Sequence, residues 1–106
     1  MSELPTIFDR LRLPVVAAPL FIISTPDLVI AQCKAGIVGS FPALNAREQD
    51  GDPIMLDSWL SQITVELDRY NQANPDSPAA PFAVNQIVHK SNDRLEHDLA
   101  IILQRI

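Results

Sequence analysis

The sequence predicts an α/β fold of order βαβαβα, a parallel sheet covered by helices. Three observations carry that prediction. Short apolar runs with little polar alternation recur at Val15 to Ala18, Ile37 to Phe41 and Phe82 to Val88, as strands buried on both faces require. Each run is followed by a stretch with apolar residues at helical spacing. Prolines, glycines and capping residues punctuate the junctions.

The chain's 106 residues suffice for one modest core but not for two. With 47% hydrophobic and 20% charged residues, the balance is globular and argues against disorder. A formal charge of −5 disfavours nucleic acid and anionic membranes as partners and favours solubility. The single cysteine, Cys33, excludes an intrachain disulfide and fits a reducing cytosol. Between Gln32 and Lys34 in a predicted helix, with no His near it in sequence, Cys33 reads as a core residue rather than a nucleophile. No secretory signal is evident, and Pro14, Pro19 and Pro26 break the first apolar region well short of the ~20 residues a bilayer span needs. The expected location is the cytoplasm.

Taken in order, residues 1–13 form a leader in which Ile7, Phe8 and Leu11 suggest a short amphipathic turn. Pro14 enters the first strand, where a missing N–H is tolerated. Thr25 with Pro26 at the first helical position, or Ser24 with Asp27, starts the first helix, and Leu28 to Ala31 pack it tightly. Gly36 ends it. After the second strand, Ala43 to Pro53 is a long polar loop, and Asp52-Pro53 caps a second helix with Leu56, Trp59, Leu60, Ile63 and Leu67 on one face, extended by Tyr70. Asn71 to Pro81 is a proline-rich surface turn before the third strand. A third helix begins near Ser91-Asn92-Asp93, with Leu95, Leu99, Ile102, Leu103 and Ile106 on one side and a solvated His97 opposite. Its apolar face calls for a further strand, so residues 1–106 are expected to be a single partial domain.

Three passages closely resemble the nitronate monooxygenase family, also called 2-nitropropane dioxygenases. They are Leu13-Pro14-Val15-Val16-Ala17-Ala18-Pro19-Leu20-Phe21, the run from Lys34 through Gly39-Ser40-Phe41-Pro42-Ala43-Leu44-Asn45 to Arg47, and the run from Phe82-Ala83-Val84-Asn85-Gln86 to Asn92. The resemblance implies a (β/α)₈ TIM barrel that binds FMN at the C-terminal ends of its strands and oxidises alkyl nitronates with O₂ to a carbonyl compound and nitrite, without a metal. A complete barrel takes about 250 residues. The chain would therefore be the first three βα units, inactive alone.

Carried over residue by residue, the cofactor-binding positions are Ala18, Pro19, Leu20 and Asn85. Ala17-Ala18-Pro19-Leu20 matches the family's Ala-Pro-Met flavin loop, with Leu20 replacing the usual Met at similar volume. The residues alone read rather as a proline-terminated core strand with no ligand; flavin contact is what the resemblance implies. Asn85 matches an FMN-bonding asparagine, although backbone or water would also satisfy a buried amide there. Gln86 is expected on the other face, under a helix or at the rim. His89, just past the third strand, could orient an anionic nitronate or act as a base. The family's principal catalytic histidine comes from beyond Ile106, so the catalytic residue stays open and a loop role for His89 is the plainer one. Ser40 and Asn45 could line the same mouth. Gly36 and Gly39 form no dinucleotide-binding fingerprint.

Two alternatives stand beside this reading. One is a non-catalytic βαβαβα binding or assembly module that self-associates through open sheet edges and an uncovered apolar face. The other is a flavoenzyme reducing enoyl thioesters on a similar barrel, against which the Gly39–Asn45 passage argues.

Overall fold

The structure is a computed structural model that describes Asp9, residues 11–47 and residues 54–105. Its first helix, α1 (Pro26–Ala35), has Thr25 at the N-cap in extended backbone and Pro26 at the first position, where the absent N–H costs nothing. Thr25 makes no side-chain capping bond. Ser24 does not cap either: its Oγ accepts from the Leu20 amide at 2.7 Å. Gly36 closes the helix at φ 98°, and the amides of Gly36 and Ile37 satisfy the carbonyls of Cys33 and Gln32. A Cβ at Gly36 would also collide with the Arg12 side chain.

Two parallel strands follow, β1 (Gly39–Pro42) and β2 (Phe82–Asn85), in register Gly39 with Phe82 through Pro42 with Asn85. Both are shorter than the apolar runs suggest. Ile37 lies outside β1 while Pro42 lies inside it, and β2 stops at Asn85 instead of Val88. The expected first strand is reduced further, to a parallel bridge between Val16 and Val38. Ala17 N–H donates to Val38 O and Val38 N–H to Val15 O, so the segment lies beside β1 as a strand would. It is not buried. Val15 and Val16 are 43% and 54% exposed, and Pro14 and Pro19, which lack N–H groups, flank the segment and limit its ladder.

Between the strands, Ala43–Asn45 is a 3-10 turn and α2 (Ile54–Ala73) runs twenty residues, three beyond the expected turn onset at Asn71. Leu56, Leu60, Ile63 and Leu67 are buried at the anticipated spacing, and half-buried Trp59 meets Phe41 edge-on with ring centroids 5.6 Å apart. The leader's Ile7 and Phe8 and the Asp52-Pro53 cap lie outside the described residues.

The third helix, α3 (Leu95–Arg105), starts later than expected and buries a different face. Asp98 and Ile102 turn inward, whereas Leu99 and Leu103 are exposed. The reason is electrostatic. Arg94 Nη2 donates to Ala46 O at 2.7 Å and to Asp98 Oδ1 at 3.1 Å, and this pair sets the helix's rotation. Ion pairs this dry are retained only when their hydrogen bonds are met.

One core cluster joins α1, β1, α2 and α3 through Val29, Cys33, Phe41, Leu60 and Ile102. All three helices therefore cover the same face of the sheet. α1 comes so close that a Cβ on Gly39 would stand 2.6 Å from the Val29 carbonyl oxygen. Phe82 and Val84 of β2 face this cluster, while Ala83 and Asn85 alternate to the opposite face and are exposed. Among the described residues the result is a small α/β domain with three α-helices and a two-stranded parallel sheet. One sheet face is packed against the helices; on the other, Ala83 and Asn85 of β2 are exposed while Ser40 and Pro42 of β1 are buried.

Candidate functional site

Parallel strands bring their C-terminal ends to one edge of the domain. Three chain segments emerge there: Ala18-Pro19-Leu20 after the Val16 bridge, Pro42 to Ala46 after β1, and Gln86 to Asn92 after β2. Ala18, Pro19, Leu20 and Asn85 are all exposed at that end. With β1 between them, the first segment and β2 stand two strand spacings apart, about 10 Å.

The exposure of Asn85 corrects one expectation. Asn85 is not a buried amide seeking an internal partner; it ends β2 on the open face. The buried amide is its neighbour's. Both Oε1 and Nε2 of Gln86 are out of contact with solvent and have no hydrogen-bond partner among the described residues. Strand alternation puts Gln86 on the helix face, as expected of that position.

Ser40 and Asn45 lie at the same edge with different roles from the lining ones suggested by sequence. Ser40 is buried, and its Oγ donates to Ala17 O, binding β1 to the first segment. Asn45 binds the first loop. Its Nδ2 donates to Leu20 O and Ser24 O at 3.0 and 3.1 Å, and its Oδ1 accepts from Ile22 N–H at 3.0 Å. Ile22 has φ 69°, a left-handed conformation that costs a β-branched residue on the order of 1–3 kcal/mol. Since the Leu20 amide is bonded to Ser24 Oγ, both backbone polar groups of Leu20 are used internally. Only the Leu20 side chain remains for a ligand.

His89 sits beyond β2 and is exposed. The Ser91 backbone N–H donates to its Nδ1 at 3.1 Å, and Ser91 Oγ lies 2.8 Å from the same atom. A backbone amide can only donate, so Nδ1 is the acceptor in that contact. The same loop is closed by Asn92, whose Nδ2 donates to Ile87 O and whose Oδ1 accepts from Arg94 N–H. His97, as anticipated, is exposed.

Two hollows open near this end. One of about 490 Å³ is lined by His89, Lys90, Asn92 and His97 among others. Another of about 600 Å³ lies between the first two loops and α2, lined by Phe21, Ile22, Asn45, Arg47, Trp59 and Arg94. Neither is lined by Ala18, Pro19, Leu20 or Asn85. No group of His, Cys, Asp and Glu able to hold a metal occurs among the described residues.

No family model, curated protein or solved structure matches the chain. Cys33 does not belong to it: the thiol is fully buried in the core, burial pushes its pKa up, and its Sγ lies 3.5 Å from Pro81 O. Among the described residues, no helix is long and apolar enough to cross a membrane. The Arg94–Asp98 pair escaped sequence reasoning, although an Arg and an Asp four residues apart at a helix start is a readable signal.

Proposed function

We propose that the chain supplies the first three βα units of an FMN-dependent nitronate monooxygenase, an oxidoreductase of the cytoplasm with an alkyl nitronate and O₂ as its small-molecule partners. The observation that carries the reading is the one-sided sheet. In a doubly wound fold, helices cover both faces of a parallel sheet, whereas in a (β/α)₈ barrel they cover only the outside. Here α1, α2 and α3 share one face, and small or polar groups (Ala83 and Asn85) stand on the other. The resemblance of the three sequence passages supplies the rest.

The residues present fit a flavin. Ala18 and Pro19 are small and exposed, so a flat ring can approach the backbone closely. Asn85 offers an exposed amide able both to donate and to accept. The separation of about 10 Å between these segments is one that a tricyclic ring can bridge. When bound, FMN would supply the electron acceptor for nitronate oxidation. The chain's own part is to position: Ala18-Pro19-Leu20 would form a wall, Asn85 would orient the ring's polar edge, and exposed His89 would stand at the rim beyond β2.

The test is flavin content. Purified 1–106 is expected to hold no stoichiometric FMN, while a protein carrying the remaining barrel units should be yellow and consume O₂ with a nitronate. A colourless longer protein would sink the reading, and so would tight FMN binding with turnover by 1–106 alone. A second reading, a self-associating module, is favoured by the exposed Leu99 and Leu103 on α3 and by the open face. Light scattering showing a single defined oligomer of 1–106 would support it.

A further inference from the structure

We propose that Asn45 is the positioning residue of the mouth, its side-chain amide holding Leu20 to Ser24 in a left-handed bend so that Ala18-Pro19-Leu20 stands formed before a flavin-class ligand arrives. The ligand half rests on the reading above; the latch half is a property of this chain alone. Asn45 spends both Nδ2 hydrogens and its Oδ1 on one five-residue loop, reaching Leu20, Ile22 and Ser24. Ser24 completes the ring by accepting from Leu20 N–H, and Ser24 N–H donates to Leu20 O at 3.0 Å.

A strained conformation persists only where its surroundings over-determine it. Packing does not do so here, because Phe21, Ile22 and Ile23 are 65%, 66% and 63% exposed. Hydrogen bonding is what remains, and Asn45 is its hub. An asparagine is needed for two reasons. Aspartate would keep an acceptor for Ile22 but set a carboxylate against two carbonyls, and alanine removes all three bonds. Pre-forming a loop in this way removes the ordering cost of binding.

The experiment is amide exchange and NMR on the flavin-free 106-residue chain, comparing wild type with Asn45→Ala and Asn45→Asp. Wild type should show a strong intraresidue amide-to-α-proton NOE at Ile22, the signature of positive φ. Both variants should lose it, and their Ile22 and Ser24 amides should exchange at least tenfold faster while Leu60 and Ile63 keep their protection. An unchanged Ile22 signal overturns the proposal, as does loss of protection throughout α2, which would make Asn45 a general structural residue. Ile22→Gly gives an independent reading. It should leave the melting temperature unchanged or raised if the bend is left-handed, and a fall overturns the bend. In a protein carrying the remaining barrel units, Asn45→Ala should weaken FMN binding at least tenfold. Unchanged FMN binding there overturns the ligand half, whereas a colourless wild type fails the flavin reading and leaves the latch standing.

Discussion

The two faces of the sheet were built by different rules. On the packed face, Phe41, Leu56, Leu60 and Ile63 are all fully buried in one cluster, and Phe41 meets Trp59 of α2 edge-on. On the open face, Val16 is half exposed and Ala83 and Asn85 reach solvent, with no described helix to cover them. One face stores the stability, while the proposed site lies on the other. A domain arranged this way can change residues on the second face and keep its fold, since the two faces depend on different residues.

Substitutions of like kind on the two faces should therefore separate sharply. Leu60→Ala removes a fully buried side chain from the centre of α2 and is expected to cost about 2–5 kcal/mol, through lost transfer energy and the cavity left behind. Val16→Ala deletes comparable apolar volume where the side chain is already 54% exposed, and should cost about 0.5 kcal/mol. Urea unfolding of both variants measures the gap. Equal losses would mean that the first segment is packed in solution and that the open face is not open.

The same contrast explains what could be read from the sequence. α1 and α2 were legible because their signals are local: Pro26 at a first helical position, Gly36 at a left-handed end, and Leu56, Leu60, Ile63 and Leu67 at helical spacing. The order of elements and the parallel pairing of the second and third apolar runs were legible too. The first strand was overestimated, since an apolar run states what a segment prefers and not whether a second layer exists to bury it. The buried face of α3 was misjudged because periodicity counts apolar residues, whereas the rotation follows Arg94 and Asp98, whose partners Ala43 and Ala46 are remote in sequence. Asn45 could be placed at the mouth, but its grip on a loop more than twenty residues away is a tertiary fact.

Neighbouring amides on opposite faces sharpen the comparison on a smaller scale. Gln86 buries both amide atoms without a hydrogen bond among the described residues, a condition that typically costs 1–3 kcal/mol. Gln86→Met keeps the length of the side chain and removes the unmet polar atoms, so it should raise stability by about 1 kcal/mol. Asn85→Ala, one residue earlier and exposed, should change stability by no more than about 0.5 kcal/mol. Under the proposed function, its effect is expected instead on flavin retention in a protein carrying the remaining barrel units. Thermal melts of the two variants decide the matter: a stabilising Asn85→Ala paired with a destabilising Gln86→Met would reverse the assignment of faces.

The smallest effect lies at the rim of the packed face, where Arg105 of α3 grips Asp57 of α2 in a two-pronged pair, Nε to Oδ1 at 2.7 Å and Nη2 to Oδ2 at 3.0 Å. The hydrogen bonds from Arg105 lower the Asp57 pKa and raise that of Arg105 in return. A carboxyl whose folded pKa lies below its unfolded value adds stability that is complete above the ordinary carboxylate range. That stability is lost as pH falls through the lowered folded value. The arginine shift runs the other way and matters only in strong alkali. Solvent screens both partners, whose side chains are 40% and 43% exposed, so the pair contributes far less than any core residue. Asp57→Asn should thus lower the melting temperature slightly at neutral pH. The difference from wild type should shrink as pH falls through the acid range and shrink again on adding salt. If the difference instead persisted unchanged at low pH, the α2–α3 contact would owe nothing to the ion pair, and the packed face would be held by its apolar residues and the Arg94–Asp98 pair alone.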